Sequence, residues 1–263
     1  TKLIGRIKGY HGVNFGGISV GGIGANRKLF GTAVDADHLS HTMLAENSYT
    51  PGMTANGSHL ADELSELIAL HEASNIASVI VEPLAGSARV IPPPAGYLPR
   101  LRDICTANAI LLIFDEVITG FGRMGAMTGA DAFGVVPDIM NLAKQLTNGA
   151  VPMGAVVAKD EIYQTFMAQG GPDYMLEFPH GYTYSAHPVA CAAGIAALDI
   201  LELEQLPMRV AILAPHFVQV LHQLGGKPHI TDIVNYGFAG ALTLASYPGV
   251  PARRPYEVAM RMW

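Results

Sequence analysis

The sequence predicts an α/β fold: a mostly parallel sheet flanked by helices, followed by the start of a smaller C-terminal α/β domain. Two observations carry this. Short apolar runs that end at Gly, Pro or charged residues alternate along the chain with stretches of helical period. Strand–helix alternation of this kind builds a parallel sheet covered on both faces. Half of the 263 residues are hydrophobic and only 14% are charged, which suits a large interior rather than disorder.

Each element has its own justification. Residues 2–8, KLIGRIK, alternate like a strand. The stretch YHGVNFGGISVGGIG at 10–24 is rich enough in glycine that no regular structure is expected. Ser58 is the expected N-cap of HLADELSELIALHEA, where Leu60, Leu64, Leu67 and Ile68 share a helical face. SVIVEP at 78–83 is a second strand, ending at Glu82 and stopped by Pro83. Leu98, Leu101, Ile104 and Cys105 mark a helix, and ILLIFDEV at 110–117 a third strand. PDIMNLAK at 137–144 and GAVVA at 154–158 are the fourth and fifth, and an alanine-rich helix runs from Pro188 to about Leu203. Beyond it the pattern changes. RVAILAPHFVQVLHQL reads as a helix interrupted at Pro215, VNYGFAGALTLAS as one strand, and a last helix begins near Pro255. The expected division is a large domain over 1–204, truncated at its N-terminus, and an incomplete small domain over 205–263.

Composition excludes several classes of function. The net charge is −6 and no stripe stands out among the 16 Lys and Arg, which argues against nucleic acid. The longest apolar stretch, VACAAGIAAL at 189–198, stops at Asp199, far short of a membrane span. Ten histidines form no HExxH pairing, and Cys105 and Cys191 have no metal spacing, so no metal site is expected. Two cysteines in a chain of this size suit a reducing cytoplasm. The chain opens at Thr1 inside a strand pattern and closes at Trp263 inside a helical one, so it is expected to be a piece of a longer protein.

In such sheets ligands bind at the carboxyl ends of the strands, and Glu82, Asp115 and Lys144 each stand at one. Asp115 follows the apolar run LLIF, and a carboxylate at the end of a buried strand is costly unless it meets a cation. Lys144, in NLAKQLTNG, is either an ordinary solvated lysine or a partly desolvated amine nucleophile. An aromatic aldehyde with a ring nitrogen, such as pyridoxal phosphate, would use both groups. Lys144 would form the Schiff base, and Asp115 would keep the ring nitrogen protonated, making the ring an electron sink. Val117, two residues past Asp115, would cover one face of the ring and Tyr10 the other. Glu116 would then point the opposite way and is expected to pair with Arg123.

YHG at 10–12, VEPLAGSA at 81–88, FDEVITGFGRMG at 114–125, NLAKQLTNGAVPMGAV at 141–156 and HGYTYSAHPVACAAG at 180–194 occur in order. With these blocks the chain resembles the class III aminotransferases of fold type I over essentially its whole length, and among them the omega-amino-acid (beta-alanine)–pyruvate enzymes. The 29-residue interval between Asp115 and Lys144 is also similar. The resemblance implies pyridoxal 5'-phosphate as cofactor, small-molecule amino donor and keto acid as substrates, and ping-pong transfer to pyruvate. It makes Lys144 the lysine that binds the cofactor and shuttles the substrate proton, and Asp115 the partner of the ring nitrogen. Val117 lies beneath the ring, Tyr10 stacks on it, and His11 sits beside Tyr10. Thr183, in GYTYS, matches a threonine that reaches the cofactor phosphate of a neighbouring subunit, so a homodimer or dimer of dimers is expected. Glu82 matches a glutamate on the substrate side.

The chain departs from the pattern at Arg89, where relatives usually have glycine. A guanidinium there would attract a substrate carboxylate or obstruct the pocket, and a solvent-facing arginine is the leading expectation. The family's phosphate-binding Gly/Ser loop would lie upstream of Thr1 and its substrate-carboxylate arginine beyond Trp263. Three alternatives stand beside the aminotransferase reading. One is a related aminomutase or decarboxylating enzyme, and another a catalytically incomplete scaffold. The third, a nucleotide-binding oxidoreductase suggested by GGISVGGIG, lacks both the GxGxxG spacing and the acidic residue that should follow it.

Overall fold

A computed structural model describes residues 1–250 and 253–262. In chain order the elements are β1 (Lys2–Arg6), α1 (Phe15–Val20), α2 (Gly24–Phe30), β2 (Ala36–Leu39), α3 (Glu63–His71) and β3 (Ile76–Val81). Then come α4 (Tyr97–Ala107), β4 (Leu111–Asp115), α5 (Gly129–Phe133), β5 (Ile139–Leu142), β6 (Ala155–Ala158) and α6 (Asp160–Gln169). The chain continues with α7 (Pro188–Leu203), α8 (Leu206–His222), β7 (Ile230–Tyr236), β8 (Ala239–Leu244) and α9 (Arg253–Met262). Trp263, expected inside the last helix, lies outside the described residues.

The main sheet has the order β2-β1-β3-β4-β5-β6. All its pairs are parallel except the last, β5 with β6. The apolar runs explain the middle of the sheet: Ile4, Val79, Val81, Leu112 and Phe114 are fully buried. Leu64 of α3 and Leu98 and Leu101 of α4 pack into the same cluster. Each such side chain contributes about 1.5–3 kcal/mol on burial. β7 and β8 form a separate antiparallel hairpin.

Several expectations are corrected. The glycine-rich segment is not wholly irregular: α1 folds within it, and α2 begins at its last residue, Gly24. Close packing depends on two glycines, Gly5 of β1 and Gly17 of this segment. A Cβ on Gly5 would lie 1.9 Å from the Val20 carbonyl oxygen, and one on Gly17 2.1 Å from that of His11. The absence of those two side chains lets α1 lie against β1 and against the Tyr10–His11 segment. Ser58 does not cap a helix with its side chain; residues 58–62 form a 3-10 turn that leads into α3. α8 runs unbroken through Pro215, which forfeits one backbone hydrogen bond without ending the helix. The expected single strand over 234–246 is the end of β7, a turn at Gly237 and Phe238, and β8. β2 and α6 carry too few periodic apolar residues to have been read.

Candidate active site

Neighbouring parallel strands end side by side, and so a few residues from each loop meet. β3 ends one residue before Glu82, β4 at Asp115, and β5 two residues before Lys144. Glu82, Asp115 and Lys144 line one cavity of about 220 Å³, with Tyr10, His11 and Val117 in its wall. The predicted convergence at the strand ends is therefore present.

Lys144 opens a 3-10 turn, Lys144–Leu146, directly after β5. Its φ of 48° is in the left-handed region, which costs a side-chain-bearing residue roughly 1–2 kcal/mol. The N–H groups of Thr147 and Gly149 both donate to the Lys144 carbonyl, at 3.4 and 3.2 Å, and brace the turn. The Lys144 amine has no hydrogen-bond or ion-pair partner among the described residues.

Asp115 is 7% exposed. Its Oδ1 accepts from the Val117 N–H at 3.2 Å, and its Oδ2 lies 2.8 Å from Nδ1 of His11. An ionised carboxylate only accepts, so Nδ1 carries the proton. That leaves Nε2 of His11 buried without a partner. His11 thus orients the carboxylate rather than simply flanking Tyr10. The two residues are 104 positions apart in sequence, and no local pattern announces the contact. Ser87, Ile118 and Asn141 also line the cavity, and sequence reasoning missed all three. Only Asn141 carried a signal: it lies on β5 in register with Asp115.

Glu82 is 4% exposed. Burial pushes its carboxyl above the usual range, and hydrogen bonds from backbone N–H groups oppose that rise. Oε1 accepts from Tyr10 and Oε2 from Gly86, both at 2.9 Å. Glu116 is buried with its carboxylate turned away from the cavity. It accepts from the Thr119 hydroxyl and from the N–H groups of Gly129 and Ala130 at the start of α5. Burial raises its pKa, with these donors opposing. The expected pair with Arg123 is absent. With its amide turned to suit its neighbours, Gln145 accepts from Arg123 instead, at 2.7 Å.

Arg89 overturns the expectation of a solvent-facing side chain. It is 14% exposed, forms an ion pair with Asp232 of β7, and does not line the Lys144 cavity. Burial alone would raise the pKa of Asp232, yet the bonds from Arg89 and from the Tyr49 N–H hold it below the ordinary 3.8. Stability from a depressed carboxylate is present above the unfolded value and is lost as pH falls through the folded one. Arg89→Ala should cost about 1–3 kcal/mol, since it strands a largely buried charge. Its thermal midpoint should fall several degrees below wild type at pH 7, and the gap should narrow at pH values under the ordinary carboxylate range. An equal midpoint at pH 7 would remove the pair from any account of stability.

Thr183 lies in the exposed segment before α7 and does not line this cavity.

A strand-end lysine, a buried aspartate and a tyrosine share one cavity at the edge of a largely parallel sheet, and these features define a class. The class-III aminotransferase family model matches residues 1–249, and the chain belongs to that family. It is 61% identical over 265 residues to an omega-amino acid–pyruvate aminotransferase of Pseudomonas putida. It is 60% identical over 264 residues to a beta-alanine–pyruvate aminotransferase of Pseudomonas aeruginosa. Both alignments take in 100% of this chain, which spans 59% of the length of each relative. Among solved structures, an amine transaminase from an uncultivated Pseudomonas species in its PLP-bound form superposes with a TM-score of 0.84 at 38% identity. That match covers 94% of this chain and 56% of the other. An (S)-enantioselective omega-transaminase from Thermomicrobium roseum gives 0.84 at 36% identity, covering 93% and 54%. The fold is that of the transaminases, fold type I.

Proposed function

We propose that the full-length protein is a pyridoxal 5'-phosphate-dependent aminotransferase that moves an amino group from an omega-amino acid or amine, beta-alanine-like, to pyruvate. The observation that carries this is the cavity that Lys144, Asp115, Tyr10 and Val117 share. Its residues fit the cofactor. A space of about 150 Å³ admits benzene, so about 220 Å³ accommodates a substituted six-membered ring. The wall supplies one unpartnered amine for an aldehyde and one buried carboxylate for a ring nitrogen. The names of the relatives support the omega-amino-acid and pyruvate specificity.

When bound, the cofactor supplies an electron sink for bonds at the substrate α-carbon. The chain's own groups do the rest. The Lys144 amine would hold the aldehyde covalently and, when free, would carry a proton to and from the substrate α-carbon. Asp115, oriented by His11, would supply the negative charge that favours a protonated ring nitrogen. Tyr10 and Val117, which line the cavity, would cover the ring and exclude water from it.

Residues 205–263 are read as the start of a smaller domain, supported by the separate β7–β8 sheet. A homodimer is inferred in which Thr183 serves the neighbouring cavity. The exposure of Tyr182 (73%) and Tyr184 (80%) on either side of it supports that contact. Among the described residues no helix is long and apolar enough to cross a membrane. The two free thiols support a cytoplasmic setting.

One preparation tests the reading. Full-length protein should gain a visible absorbance band on adding pyridoxal phosphate, lose it on borohydride treatment, and sediment as a dimer. Peptide mapping should place the reduced adduct on Lys144. An adduct mapping to Lys2 or Lys159 would relocate the site, and absence of any band would favour the non-catalytic scaffold.

A further inference from the structure

We propose that Glu82 is a positioning residue: its carboxylate ties the segment carrying Tyr10 to the loop carrying Ser87 and so sets the walls of the Lys144 cavity. The inference rests on the functional reading above for its consequence, though not for its geometry.

Three observations carry it. First, both carboxylate oxygens are committed to backbone donors from different segments: Oε1 to Tyr10 and Oε2 to Gly86, each at 2.9 Å. A side chain held this way has little freedom to approach a substrate, so the substrate-side role that the resemblance gave Glu82 is replaced by a structural grip. Second, the same residue is held at its backbone. The buried guanidinium of Arg6, at the end of β1, donates to the Glu82 carbonyl at 2.9 Å. The ends of β1 and β3 are thus joined twice: Arg6 reaches across to the Glu82 backbone, and Glu82 reaches back to the backbone of Tyr10. Third, among the described residues no other hydrogen bond joins these two segments to each other; His11 is tied instead to Asp115, and Arg89 to Asp232. The Tyr10 N–H donates to nothing else, and beyond Gly86 the loop rejoins regular pairing only through the Ala85–Ile91 bridge.

The chemistry suits the task. A carboxylate carries two acceptor oxygens and offers no donor, so both of its terminal atoms can receive an N–H group at once. An amide of the same size cannot. In Glu82→Gln one terminal atom becomes an NH₂ that faces an N–H donor, so one of the two ties must open while the volume is unchanged. Loss of one such bond in a buried site costs roughly tenfold in an equilibrium that depends on it.

The test uses the full-length protein, first without cofactor. Hydrogen–deuterium exchange of wild type should show the Tyr10 and Gly86 amides both protected, since each donates to the Glu82 carboxylate. Unprotected exchange at either amide would overturn the proposal without any variant being needed. In Glu82→Gln, protection should fall selectively over residues 9–12 or 84–88, with β4 unchanged. The dissociation constant for pyridoxal phosphate should then rise about tenfold. Unchanged exchange in both segments, or a uniform loss across the sheet, would reduce Glu82 to an ordinary buried residue. If wild type takes up no pyridoxal phosphate, the cofactor reading fails, while the exchange data still decide the tie.

Discussion

Lys144→Ala in the full-length protein is expected to abolish the borohydride-fixed adduct and to lower transamination by at least about three orders of magnitude. The size follows from what the amine is asked to do. In the proposed reaction it is both the covalent tether and the base at the α-carbon, and general acid–base transfer by a positioned side chain alone contributes typically 10²–10⁴-fold. Removing the tether takes away a second, separate contribution. The fold should survive. The side chain has no partner among the described residues, and alanine adopts the left-handed φ of 48° no less readily than lysine. Steady-state kinetics with beta-alanine and pyruvate, beside a thermal melt, measure both. A variant that melts normally and still turns over within tenfold of wild type would place the chemistry on another group.

Asp115→Asn is the second large effect, and its signature differs: cofactor retained, turnover lower by about two to three orders of magnitude. A carboxylate about 3 Å from a ring cation gains roughly 5 kcal/mol at an effective dielectric near 20, before desolvation is subtracted. A net few kcal/mol remains, at about 1.4 kcal/mol per factor of ten in rate. The amide keeps the shape, and its oxygen can still accept from Nδ1 of His11 while the longer bond from the Val117 N–H is given up, so the cavity keeps its walls. What it loses is the charge that favours a protonated ring nitrogen. Absorbance titration should therefore show near-normal cofactor uptake while kcat collapses with little change in KM. Near-wild-type rates would separate Asp115 from the ring.

These two residues were legible in the sequence because their signal is local. LLIFDEV puts a carboxylate at the end of an apolar strand, and NLAK puts an amine at the end of the next. Parallel topology then brings adjacent strand ends together whatever the loops do. Val117 and Tyr10 followed from the same logic and line the cavity as expected. Arg89 and Glu116 were misjudged for the opposite reason. Arg89 finds its partner on β7, 143 positions away, and Glu116 finds three donors on the far side of its own loop.

The amino-acid sequence by itself determined the alternation of strand and helix, the buried sheet interior and the acid and amine at its carboxyl edge. Those follow from periodicity and from the cost of burying charge, which act over a few residues. Only the tertiary structure decided which groups hold those side chains in place. His11 on Asp115, Glu82 on Tyr10 and Gly86, and the packing of α1 at Gly5 and Gly17 depend on segments that meet through folding. A hydrogen bond is directional and reaches only about 3 Å, and no run of neighbouring residues specifies so short a contact across the sheet.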